Sequence, residues 1–258
     1  MTNTPIELTG TGAEGDPLWF DATRPQSAPD PVVTAVAGLA RTARSHAAEF
    51  SAATTGLPAD LREIVNNAST AITSTLSTAA HARARAESFL NDVKLYPEGR
   101  KMLAGEALKA ADDTIAESLA QADAQIEVAS ALTYEAARPR VGADAAMTAR
   151  ADLQMMTQRH SGNPGALIDT LKRLAQRGDS VGALIADQSF LGDFMDSHGI
   201  DQQTHEAVLT LVRSEVVRAA AESGDPNRAA AGKANIALVE LRKARVAATS
   251  FTRHVLSR

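Results

Sequence analysis

Residues 97–138 read PEGRKMLAGEALKAADDTIAESLAQADAQIEVASALTYEAAR. Within this stretch Ile115, Leu119, Ala122, Ile126, Ala129, Thr133 and Ala136 recur at alternating steps of four and three. That spacing keeps one narrow apolar stripe on one side of a helix. The segment before it, 58–96, carries a second stripe: Leu61, Val65, Ala68, Ile72, Leu76, Ala79, Ala86, Leu90 and Val93, interrupted at Arg83. Between the two lies Tyr96-Pro97-Glu98-Gly99, a connection short enough to fold the second helix back antiparallel on the first. Gly99 and Gly105 are expected to fray its first turns. The sequence thus predicts a long antiparallel helical hairpin whose seam is built from Ala and Ile.

Working outward, the other helix boundaries come from punctuation. Asp30-Pro31, Asn163-Pro164 and Asp225-Pro226 each place an acceptor side chain at an N-cap and proline at the first helical position, where no amide hydrogen is needed. Gly56, Gly162, Gly178, Gly199 and Gly224 read as stops. The expected helices are 31–54, 58–95, 97–138, 143–160, 164–177, 180–188, 189–197, 202–222 and 226–256. The last resumes the long pattern with Ala234, Ala237, Leu241, Ala244, Ala248, Phe251 and Val255, suited either to the hairpin or to a partner helix. Arg138-Pro139-Arg140-Val141-Gly142 is the expected boundary, giving four parts: an extended Pro/Gly-rich arm (1–29), a long-helix hairpin domain (30–138), a compact helical domain (139–224) and a long basic C-terminal helix (225–258). The fold class is all-α.

Composition bounds the chemistry. The chain has 258 residues, 44% hydrophobic but only 3% aromatic. Ala makes up about a fifth of it, so helices are expected to pack closely through small side chains. The absence of cysteine removes disulfides, thiolate metal ligands and a thiol nucleophile. No apolar run is long enough to span a bilayer, and the N-terminus has no signal-peptide pattern. A soluble protein, cytoplasmic or within a virion, is the expectation. Arg outnumbers Lys by 20 to 6, which together with the Ala excess suggests a GC-rich bacterial or phage genome.

The net charge of −5 is unevenly spread. The arm carries Glu7, Glu14, Asp16, Asp21 and Asp30 against Arg24, whereas the final segment carries Arg228, Lys233, Arg242, Lys243, Arg245, Arg253 and Arg258 against Glu240. Opposite charge at the two ends suits a basic helix that docks on an acidic protein surface, including the arm of another copy. The arm also holds Leu18-Trp19-Phe20, with the only Trp of the chain. Two adjacent aromatics in a Pro/Gly-rich segment either cover an apolar groove of their own molecule or anchor the arm to a neighbour.

Motifs for catalysis are weak. Gly10, Gly12 and Gly15 match the dinucleotide-binding glycine spacing, yet only nine residues precede them and Asp16-Pro17 follows, so the strand and helix that the chemistry requires have no room. Asp193, Asp196, His198, Asp201, His205 and Glu206 crowd into a short stretch with the ligand types of a zinc, iron or manganese site. Two helices meeting at Gly199 do not aim these groups at one point by spacing alone, and Asp201 is accounted for as an N-cap. Asp112-Asp113 reads as a solvated helix face. No nucleophile elbow, phosphate-binding loop or metalloprotease motif occurs, so no enzyme and no cofactor are expected.

The expected function is therefore that of a non-enzymatic structural or assembly protein, most concretely a bacteriophage virion or head-assembly component. It would engage copies of itself or other structural proteins through Leu18, Trp19 and Phe20 of the arm and Arg242, Arg245 and Arg253 of the last helix. Two rivals come from other classes. One is a nucleic-acid-associated regulator using the basic C-terminal helix, and the other a helical metalloenzyme using His198 and His205.

Overall fold

Nine helices and no strand make up the described residues, 31–160 and 162–257 of a computed structural model. They are α1 (Pro31–Ala53), α2 (Ala59–Asn91), α3 (Pro97–Ala137), α4 (Ala143–Gln158), α5 (Pro164–Ala175), α6 (Ser180–Ile185), α7 (Gln188–Ser197), α8 (Gln202–Ala221) and α9 (Pro226–Leu256). The all-α class is thus the observed one. Caps explain many of the starts. Asn163 accepts from the Ala166 amide at 3.1 Å, and Asp225 from the Asn227 and Arg228 amides at 2.9 and 3.3 Å. Asp179, Asp187 and Asp201 do the same for α6, α7 and α8. Gly162 and Gly199 have φ of 82° and 68°, the left-handed conformation that lets a chain leave a helix end.

Two helix expectations on the hairpin are corrected. The second helix stops at Asn91 rather than 95, because the Asp92 carboxylate accepts from the Lys94 amide at 2.9 Å and closes a turn. α3 is helical from Pro97 onward, Gly99 and Gly105 included. The α2 stripe also ends early. Leu90 and Val93 are exposed, 43% and 83%, since the chain around them has left the part of the hairpin that other helices cover.

Residues Val36–Arg258 cluster as one compact unit containing two cores. The first joins α1, α2, α3 and α9 around Phe50, Ile72, Leu76, Ile126, Leu238 and Leu241, with Ala68, Ala122, Ala234, Ala244 and Ala248 fully buried between them. Alanine at these seams lets helix axes approach toward the near end of the usual range of about 8–10 Å. α9 lies along the hairpin, the first of the two arrangements its pattern allowed. Gly56 meets Ala230, His46 meets Glu240 and Leu39 lies beside Val246, so α1 runs antiparallel to α9. Arg228 meets Ala137 and Arg245 meets Asp123, so α9 also runs antiparallel to α3. The result is a four-helix bundle.

The second core gathers α4 to α8 around Leu153, Leu171, Ile185, Leu191, Met195 and Val216. Tyr134, on the last turns of α3, belongs to it. Its hydroxyl donates to the Ala186 carbonyl at 2.8 Å, and the Arg213 guanidinium lies 4.8 Å from its ring centroid. Burial pushes the Tyr134 phenol up to about 12, with Arg213 and Arg138 opposing the rise. Between α8 and α9 the backbones nearly touch. A Cβ added to Gly232 would sit 2.5 Å from the Ala221 nitrogen and 2.7 Å from the Val217 oxygen. Glu215, buried on α8, is satisfied by Gln176 Nε2 at 2.9 Å and Arg218 at 3.1 Å, with Lys172 at 3.8 Å.

Candidate functional site

The α9 bases expected to bind partners are placed by its register on α3. Arg245 forks onto Asp123, 2.9 Å from Nε to Oδ1 and 2.7 Å from Nη2 to Oδ2, and Arg242 reaches Glu127 at 3.1 Å. Arg228 donates to the Ala137 carbonyl at 3.1 Å, capping the end of α3. Between them Asn235 donates to the Ser130 carbonyl at 3.0 Å and to Thr133 Oγ1 at 2.8 Å. These contacts form a polar ladder that sets the α3–α9 register. Each exposed ion pair contributes only about 0.2–1 kcal/mol, so the ladder specifies alignment more than it stabilises. The carboxylates of α3 also compensate two of the bases that would otherwise face a polyanion. Arg253 lines a groove of about 760 Å³ between α3 and the end of α9, with Lys109, Asp112 and Asp123 among its other charged groups. Leu18, Trp19 and Phe20 lie outside the described residues, as does the Gly10 to Gly15 motif.

A second groove, about 460 Å³, runs between α1 and the outer face of α9. Its floor is Leu39, Val239, Val246 and Ala247, with Ser250 at one end and Arg242 and Lys243 among its lining residues. Val239 and Val246 are 48% and 62% exposed, and Ile236 one turn away is 51% exposed. This spacing is the period of a helix face, so α9 presents apolar side chains outward as well as inward. Periodicity of the inner stripe alone concealed that second face.

The hairpin offers another apolar surface at its turn. The last turns of α2 and the first of α3 bury only Ala82, Ala86, Ala104 and Ala111, while Leu90, Val93, Tyr96 and Met102 are exposed. Arg100 braces the turn by donating to the Leu95 carbonyl at 2.8 Å.

The acidic and imidazole residues between Asp193 and Glu206 do not assemble into a ligand set. The His198 ring approaches the Phe194 carbonyl at 2.9 Å and packs at a tilt against the Phe194 ring, with centroids 4.1 Å apart. His205 Nε2 faces the Ile200 carbonyl at 3.0 Å, with Asp196 at 3.6 Å. Asp201 caps α8, and the Thr204 hydroxyl and amide hold its carboxyl below the usual carboxylate range. The corner is spent on capping and packing. Among the described residues, the potential metal-ligating groups that converge are elsewhere, where α1 meets α9. No described helix is long and apolar enough to cross a membrane. Comparison with protein-family models, curated proteins and solved structures gave no match.

Proposed function

We propose that this chain is a non-enzymatic structural or assembly protein. It would join a multi-subunit complex through its N-terminal arm and helix faces, most concretely as a bacteriophage virion or head-assembly component. One observation carries the reading: the groove between α1 and α9 has an apolar floor with Arg242 and Lys243 in its lining. The arm has the complementary pattern, Leu18-Trp19-Phe20 between Asp16 and Asp21. Large aromatics in an apolar groove supply affinity, and the arm's acids would share Arg242 and Lys243 with their present partners Glu127 and Glu240 to set register. The reading seats the arm of one copy in the groove of the next. The exposed side chains at the hairpin turn provide a further face for copies or other structural proteins.

The test is Trp19→Ala with Phe20→Ala in the full chain. Each ring buries roughly 150–250 Å², and losing an anchor of about 2 kcal/mol weakens association roughly 30-fold. Sedimentation should show an oligomer for the unaltered chain and mainly protomers for the double variant, with helicity unchanged and any fall in melting temperature limited to the lost association. A lowered melting temperature with assembly intact would place the rings in their own molecule's core. An unaltered chain that sediments at 27.0 kDa even at high concentration would end the copy-to-copy version.

A further inference from the structure

Three side chains with metal-binding chemistry meet between α1 and α9. His46 and Glu49 stand one turn apart on α1, Glu240 comes across from α9, and one ligand atom from each lies within 4.8 Å of the other two. His46 Nδ1 is 2.7 Å from Glu240 Oε2 and 3.9 Å from Glu49 Oε2. The first distance is that of a hydrogen bond, but the alignment is not. Both His46 Nδ1 and Glu240 Oε2 are shielded from solvent and lack a hydrogen-bond partner of acceptable geometry. With its proton on Nε2, His46 would turn a lone pair toward the Glu240 oxygen, and a cation between the two would relieve their repulsion.

The outer contacts fit the same arrangement. Lys243 Nζ donates to Glu240 Oε1 at 2.8 Å, and Ser45 Oγ donates to Glu49 Oε1 at 3.2 Å. Each carboxylate therefore has its far oxygen held by an outer partner, while its near oxygen is turned toward His46. Outer-shell hydrogen bonds commonly orient metal ligands in this manner.

We infer that His46, Glu49 and Glu240 bind one divalent transition cation of the zinc class, with water completing the coordination, and so staple α1 to α9. Tetrahedral ligands about 2.0–2.1 Å from zinc lie about 3.3 Å from each other. The two carboxylate oxygens lie 2.7 and 3.9 Å from His46 Nδ1 and all three atoms within 4.8 Å of one another, so side-chain shifts of about 1 Å would bring them to that spacing. Glu49 is 59% exposed on its side chain and free to swing inward. An imidazole nitrogen among the ligands favours zinc, cobalt or nickel over magnesium and calcium. This inference does not depend on the arm or on assembly.

The experiment uses the full chain freed of metal with a chelator and titrated with Zn²⁺ by calorimetry, with Mg²⁺ as the comparison ion. One zinc per chain should bind, and zinc at about 100 times its Kd should shift the unfolding equilibrium about 100-fold and raise the melting temperature. Mg²⁺ should do neither. His46→Gln and Glu240→Gln should each weaken binding at least about tenfold, the order seen when even an outer partner of a metal ligand is lost. Glu49→Gln, at an exposed position that the fold does not use, should do the same without altering helicity. Co²⁺ should give visible bands of a tetrahedral site in the unaltered chain and lose them in the variants. Absence of zinc binding, or equal binding by the unaltered chain and Glu49→Gln, would overturn the inference and leave a plain histidine–glutamate ion pair.

Discussion

Replacing Gly232 by Ala reverses the usual effect of such a change. In an exposed helix interior, Gly→Ala stabilises by roughly 0.5–1 kcal/mol, because glycine loses more backbone entropy on folding. Gly105 on α3 is such a position, exposed and with nothing within 4 Å of an added Cβ. Gly232 sits mid-helix on α9, but its new methyl would lie 2.5 Å from the Ala221 nitrogen, 2.7 Å from the Val217 oxygen and 3.0 Å from the Ala220 carbonyl carbon. These are backbone atoms of α8 and its end, and no side chain can rotate away to make room. Forcing two packed helices apart costs about 1–3 kcal/mol. Subtracting the propensity gain leaves a net destabilisation of up to about 2.5 kcal/mol. At roughly 2–4 °C per kcal/mol for a unit of this size, Gly232→Ala should lower the melting temperature by several degrees. Gly105→Ala should raise it by about 1–4 °C. Thermal unfolding followed by circular dichroism on both variants under one buffer reads the two signs directly. If Gly232→Ala is stabilised as much as Gly105→Ala, the close approach of α8 and α9 is wrong.

Ile126 is buried on the α3 seam, so Ile126→Asp should destabilise by about 3 kcal/mol or more through an uncompensated buried charge; an unchanged denaturation midpoint would mean that this face is not packed. Tyr134→Phe keeps the ring against Arg213 but strands the buried Ala186 carbonyl, and should cost about 1–3 kcal/mol in urea unfolding. Absorbance titration of tyrosinate should place the Tyr134 transition near pH 12 in the folded chain. Because this pKa lies above the unfolded value of about 10, the tyrosine's contribution to stability is complete below about pH 10 and is lost as pH rises toward 12. A Tyr134 transition at pH 10 with helicity intact would show that the phenol is not buried.

Much of the secondary structure was written locally. Proline at N1 behind Asn163 or Asp225, and Asp201 as a cap, act over three or four residues, so a single stretch of chain contains the whole cause. The seam of α3 was equally legible, because a helix turns every position by a fixed angle and the buried set follows from spacing. The fates of Leu90 and Val93 were not. They continue the α2 pattern, yet the helix ends at Asn91 and leaves them at the exposed turn of the hairpin. Nor does the sequence alone say that Arg242 and Arg245 answer Glu127 and Asp123, or that Gly232 is where α9 meets the backbone of α8. The same holds for metal-ligating side chains. They are densest in sequence between Asp193 and Glu206, where the folded chain spends them on caps and backbone carbonyls, whereas His46, Glu49 and Glu240 converge from opposite ends of the chain. Local sequence thus determined where many of the helices begin and which stripe of each is apolar, because capping and periodicity act over a few residues. The tertiary structure decided which stripes meet, in what register, and which polar groups are brought together, because those depend on packing between segments far apart in the chain.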